Sequence, residues 1–243
     1  MNPDPSHSFA RARRSPAQRP RRLAKAIAVH SITGVAALLL AAMAPLAAYV
    51  QGDSAALLEA AKRGDVDALG SLLSKGGDIN AKNADGRTAL MEASFWGRAD
   101  AVKMLIEKGA DPNAKDSEDR TALIDASGPG HIQVVQLLLE KRANVGAKNK
   151  EGATALMEAA SNNRSEVIKA LIDKGANADD KDKVGRTAII LAAYWGHAEA
   201  TQALIDKGAN INSKDKYGYS ALMYAKRENH PSVEEVLAKA GAK

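Results

Sequence analysis

Beyond residue 52 the sequence carries three histidines, His131, His197 and His230, the residue type that serves as a general base or a metal ligand near neutral pH. All three fall at the same point of a 33-residue period, which gives them one repeated structural role: a hydrogen bond to backbone that fixes a turn. Units stacked about 10 Å apart would keep them from converging on one metal ion. His197-Ala198-Glu199 is a fragment of a zinc signature with nothing to complete it. There is no cysteine, and so no thiolate ligand, thiol nucleophile or disulfide. Nor does the chain hold a glycine-rich phosphate loop, a nucleophile elbow or a spaced carboxylate pair. No catalytic residue, cofactor or metal ion is expected, and the chain reads as a non-enzyme.

The aromatic residues suit recognition better than catalysis, because tryptophan and tyrosine dominate the energetics of protein interfaces. Phe95-Trp96-Gly97 and Tyr194-Trp195-Gly196 stand 99 residues apart, three periods. Glu92, Phe95 and Trp96 are i, i+3, i+4 neighbours on a helix and are offset from the Leu90, Ala93, Gly97 stripe, so they share its outer face. Tyr224 occupies the Glu92 position of the last unit, and Tyr217 and Tyr219 flank Gly218.

The elements that must position these residues are written in the period itself. Thr88-Ala-Leu-Met, Thr121-Ala-Leu-Ile, Thr154-Ala-Leu-Met, Thr187-Ala-Ile-Ile and Ser220-Ala-Leu-Met start at intervals of 33 residues without an insertion. Within a unit the Thr88 hydroxyl caps a first helix with a buried stripe of Leu90, Ala93, Ser94 and Gly97. A second helix buries Val102, Leu105 and Ile106, and Gly109 ends it in the left-handed conformation. A polar, turn-rich hairpin then joins one helix pair to the next.

The pattern of Asp/Asn, then Gly, then Thr-Ala-Leu, a Val-x-x-Leu-Ile helix and Gly-Ala-Asp/Asn resembles the ankyrin repeat over residues 53 to 243. The resemblance implies an all-α solenoid of about six 33-residue units. These are an N-terminal cap (53–83), four inner repeats (84–116, 117–149, 150–182, 183–215) and a C-terminal cap (216–243). It also implies an L-shaped stack with projecting hairpins, a concave groove that binds protein, and no catalysis by default. The usual Thr-Pro-Leu-His is replaced by Thr-Ala-Leu followed by Met91, Ile124, Met157, Ile190 or Met223, so apolar packing is expected where the family has a histidine. The third unit has Asp119 and Arg142 where the others have glycine, each at a position needing positive φ, and Gly128-Pro129-Gly130 cuts its first helix short. It is therefore expected to be the least stable unit.

On the face the resemblance assigns to binding, Phe95 and Trp96 stand at one end and Tyr194, Trp195, Tyr217, Tyr219 and Tyr224 at the other. Glu92 faces the groove beside the first pair, and Asp125, Glu158, Ser161 and Asn162 form a polar rim between the two ends. Arg87, Arg120 and Arg186, on the groove side of the hairpins, could select an acidic patch on a partner. The alternative for the aromatics is that they pack on the next hairpin and only stiffen the stack. A ladder of Lys82, Lys115, Lys148, Lys181 and Lys214, each followed by Asn83, Asp116, Asn149, Asp182 or Asp215, is read as a solvated edge largely neutralised locally rather than as a nucleic-acid track.

The 243 residues carry a formal charge of +5 and a pI near 9.3, yet this basicity belongs to the leader. Residues 1–52 hold seven Lys/Arg against Asp4 alone, leaving the rest slightly acidic, which argues against a nucleic-acid partner. The basic stretch to Lys25 and the apolar Val35–Ala48 run are the n-region and h-region of an export signal; the alternative is an uncleaved membrane anchor. The expectation is a monomeric periplasmic protein that binds another protein, touching a membrane only if the leader is retained. A membrane-tethered scaffold and a secreted effector are the rivals.

Overall fold

Hydroxyl groups start the first helix of most units. Thr88, Thr121, Thr154 and Ser220 lie in extended backbone and accept from the amides of Met91, Ile124, Met157 and Met223, three residues on. Each such cap satisfies one of the orphan amides of a helix start, for about 1 kcal/mol. Thr187 has the same backbone but makes no cap bond, and its hydroxyl is buried without a partner. The structure is a computed structural model that describes residues 54–243; the leader, and with it the export-signal reading, lies outside the described residues.

Twelve helices follow in pairs among the described residues. They are α1 (54–63) and α2 (Val66–Ser74), α3 (Ala89–Phe95) and α4 (Ala99–Glu107), α5 (Ala122–Ser127) and α6 (Ile132–Glu140). The series continues with α7 (Ala155–Ser161) and α8 (Ser165–Asp173), α9 (Ala188–Tyr194) and α10 (Ala198–Asp206), α11 (Ala221–Arg227) and α12 (Pro231–Lys239). First helices pack on first helices and second on second. A first helix thus has a neighbour on each side and its own partner behind, and in α3 Ala89, Leu90, Met91, Ala93 and Ser94 are all buried. Small alanines let these short helices approach closely, which is how a core with few aromatics is filled. In α4 the buried stripe is Ala101, Val102 and Leu105, while Ile106 is only half-buried. No helix among the described residues is long and apolar enough to cross a membrane.

The apolar column expected from the sequence runs through Met91, Ile124, Met157 and Ile190, all fully buried. It fails at Met223, which is 42% exposed. Asp119 and Arg142 adopt positive φ, 59° and 63°, as their place among glycines requires. Asn163 and Asn229 do the same, at 57° and 60°, at the position of Gly97. Asparagine is among the residues that enter this region at least cost. Helix α5 is six residues where the other inner first helices have seven, ending at Gly128.

Two devices tie unit to unit. The three histidines donate through Nε2 to the carbonyls of Phe95, Ser161 and Tyr194, at 3.0, 3.1 and 3.0 Å, each 36 residues back. Since those carbonyls can only accept, each histidine carries its proton on Nε2. Arg98 and Arg164 do the same work, donating Nε to the carbonyls of Lys62 and Gly128. A Cβ on Gly97 would come within 2.6 Å of the His131 ring, so glycine there is what lets the ring lie across the turn. Burial lowers the affinity of His197 for a second proton.

The second device is the hairpin row. Asn83, Asp116, Asn149, Asp182 and Asp215 each accept two backbone amides of their own loop through Oδ1, at two and four residues on. They lock the turns and are not the counter-ions of the lysine ladder. Instead Lys82, Lys148 and Lys181 each donate Nζ to the carbonyl of the lysine 33 residues on. Adjacent loops also pair by backbone, as from Ser117 N to Asp85 O at 2.8 Å.

Candidate protein-binding face

With the loops locked, the side chains that follow each hairpin are aimed across the start of the next first helix. Arg87 reaches Glu92 at 2.6 Å and Asp125 of the next unit at 2.9 Å, with Asp116 at 3.5 Å. Arg120 donates to Asp125 at 2.7 Å and to Glu158 of the following unit at 3.1 Å. The result is an alternating chain, Glu92–Arg87–Asp125–Arg120–Glu158, across units two to four. Its centre, Asp125, is 1% exposed. Arg120 meets Asp125 Oδ1 in line, whereas the Arg87 contact to Oδ2 lacks hydrogen-bond alignment. Burial raises the Asp125 carboxyl above the usual aspartate range, outweighing the pull of Arg87 and Arg120. For both arginines burial acts downward, but the carboxylates win and hold them above their ordinary value.

The same column in the last two units is apolar or aromatic. Leu191 and Tyr224 take the place of the acids, both buried at 3% exposure. Tyr224 donates its hydroxyl to Asp215 Oδ2 at 2.6 Å. Burial, and then that donation, push its hydroxyl far above the normal tyrosine range. Tyr194 stands edge-on to Trp195 at 5.0 Å and to Tyr224 at 5.5 Å, Tyr219 lies 5.2 Å from Tyr224, and the Arg227 guanidinium covers Tyr224 at 4.8 Å. Arg186 closes on Asp182 of its own hairpin at 2.7 Å.

The sequence-derived set therefore divides. Phe95, Trp96, Trp195 and Tyr217 are 41, 44, 43 and 58% exposed, and Asn162 is exposed as well. Tyr194, Tyr219, Glu92 and Glu158 are half-buried. Tyr224 and Asp125 are buried, so neither offers the surface expected of it: the Glu92 column points at the neighbouring loop rather than outward. Arg87, Arg120 and Arg186 are committed to carboxylates of this chain and are not poised for an acidic partner. Phe95 and Trp96 form an edge-to-face pair at 5.4 Å, with Lys62 Nζ 5.5 Å from the Trp96 ring and Arg87 5.9 Å from Phe95. Lys62, Arg98 and Arg164 escaped the sequence reading. The inter-unit arginine pairing had a signal, arginine at 87 and 120 followed five residues on by acid, with the same acid column at 158. Among the described residues no group of His, Asp and Glu is arranged to hold a metal ion.

Comparison with known proteins bears on this architecture directly. A family model described as Ankyrin repeats (3 copies) matches residues 25–116, 114–182 and 156–243. The crystal structure of an ankyrin repeat domain from Acinetobacter baumannii is 33% identical, with a TM-score of 0.69 over 77% of this chain and 98% of that one. No curated protein matches the sequence.

Proposed function

The chain belongs to the ankyrin-repeat family, and from that premise we propose that it is an exported protein that binds another protein through the aromatic ends of its first-helix face. Ankyrin repeats are generally protein–protein interaction modules, and the fold is typically a non-enzymatic scaffold. The observation that carries the reading is the exposed aromatic platforms, Phe95 and Trp96 at one end and Trp195 and Tyr217 at the other, on a framework whose Arg87, Arg120 and Arg186 are spent on its own carboxylates. A solenoid held by repeated inter-unit hydrogen bonds loses little conformational entropy on docking, and rigid aromatics give large contact area. The basic and apolar leader supports export and a periplasmic site of action. The protein acts as a monomer in this reading, without cofactor or nucleic acid.

Crosslinked affinity capture from the cell envelope tests it, comparing wild type with a Trp96→Ala, Trp195→Ala double variant of unchanged helicity. A partner captured by the first and lost from the second supports the reading. Identical captures refute it and make the aromatics part of the scaffold. A retained leader would make the protein a membrane-tethered scaffold, and the intact mass of the native protein separates the two.

A further inference from the structure

The surface between and around the aromatic platforms is electrically divided. In units two to four, two guanidiniums of the first-helix chain face four carboxylates, those of Glu92, Asp116, Asp125 and Glu158. Above them the exposed hairpin tips add Asp85, Glu118 and Glu151. Lysines of the same hairpins balance these tips, Lys150 at 3.7 Å from Glu118 and Lys115 at 3.8 Å from Asp119, with Lys82 and Lys148 turned to carbonyls of the next loop, so the excess of acid in this half is that of the first-helix chain. In units five and six the tips carry Lys183 and Lys216, both exposed and in no ion pair among the described residues, and α11 ends in Lys226 and in Arg227, which is closed on Glu228 at 2.7 Å.

We propose that the occupant of this face is an extended, bipolar segment of another protein, with lysine or arginine over units two to four and acidic side chains toward units five and six. This rests on the protein-binding reading above and adds the chemistry of the partner. Charge complementarity selects it. The acidic half repels phosphate backbones and anionic lipid headgroups alike, so a polypeptide is the occupant that suits both halves. The spacing of the platforms sets its length. Three units at about 10 Å each separate Trp96 from Trp195, and an extended chain rising about 3.3 Å per residue spans that in about nine residues. Apolar residues that far apart would reach the two platforms, with the basic run set behind the first of them.

The probe is a library of random dodecapeptides displayed on phage and selected on the full chain. The wild-type pool is expected to be enriched in Lys/Arg over Asp/Glu on one side of an apolar anchor by about fivefold, the size of effect that exposed charge pairs produce. Asp85→Lys with Glu118→Lys, both at solvent-exposed loop tips and so neutral for folding, should abolish that enrichment. Lys183→Glu with Lys216→Glu should remove the acidic preference at the other side. An acidic or charge-neutral wild-type pool, no pool at all, or enrichment untouched by the tip variants overturns the proposal. The Trp96→Ala, Trp195→Ala variant keeps the two readings apart. A charge-neutral pool lost on that variant leaves the aromatic face standing and the charge assignment wrong. A basic pool bound undiminished by it leaves the charge assignment standing and the aromatic face wrong.

Discussion

Units two to four and units five to six use the same backbone columns to opposite ends. At the start of the first helix, Glu92, Asp125 and Glu158 in one half are answered by Leu191 and Tyr224 in the other. In the first half the column is woven into the next unit by Arg87 and Arg120; in the second, rings lie against rings with the Arg227 guanidinium over Tyr219 and Tyr224. A buried ion pair recovers its desolvation cost only through close geometry, and it punishes the loss of one partner. The apolar burial that dominates ring packing is non-directional, so it degrades gradually. The difference teaches that a repeat fixes where a side chain stands, while its neighbours 33 residues away decide whether it serves the stack or the surface.

The largest effect should come from stranding the buried carboxylate. Arg120→Met keeps the aliphatic stem but leaves Asp125 with only the misaligned Arg87 contact, at a cost of about 3 kcal/mol in urea unfolding. The matched change in the other half, Arg186→Met, should cost less, about 1.5 kcal/mol, since the buried Asp182 still accepts the amides of Val184 and Arg186. Equal costs for the two variants would erase the distinction between the halves.

A second comparison lies within the first half, where the third unit carries Asp119 and Arg142 at positive φ. Asp119→Gly and Arg142→Gly should each stabilise the protein by up to about 1 kcal/mol through relief of the left-handed strain. Hydrogen exchange should find α5 and α6 the least protected inner helices. Protection equal to that of the fourth and fifth units would show that the Arg87–Asp125–Arg120 chain already makes good the loss.

The period, the caps and the helix ends were legible in one sequence because each is a local event: a hydroxyl accepts an amide three residues on, and a glycine ends a helix. The roles of His131, His197 and His230 were legible for the same reason, as recurrence at one position implies one local job. The exposures of Tyr224, Asp125 and Met223 were not. Helical periodicity says which way a residue leaves its own helix, but Tyr224 and Asp125 are covered by side chains of the adjoining hairpins, and Met223 stands uncovered. Likewise the charge ladder of lysines hid a set of donors to carbonyls 33 residues away, a distance that no local pattern measures.

The smallest expected effect probes the aromatic half by pH. Tyr224 ionises in the folded protein well above its ordinary value of about 10, because burial and donation to Asp215 favour the protonated hydroxyl. A raised folded value means that the unfolded chain releases this proton first. The stabilisation is complete below about pH 10 and declines as pH rises beyond it, by about 1 kcal/mol by pH 11. Tyr224→Phe should therefore cost about 1 kcal/mol at pH 8, with Asp215 losing its donor, and should flatten the fall in the urea midpoint between pH 10 and 11. In the charged half, no group with a resolved shift titrates between those pH values, so Arg120→Met should leave the alkaline slope unchanged. A Phe variant that keeps the wild-type slope would place the titration elsewhere and detach Tyr224 from the ring cluster that distinguishes this end of the stack.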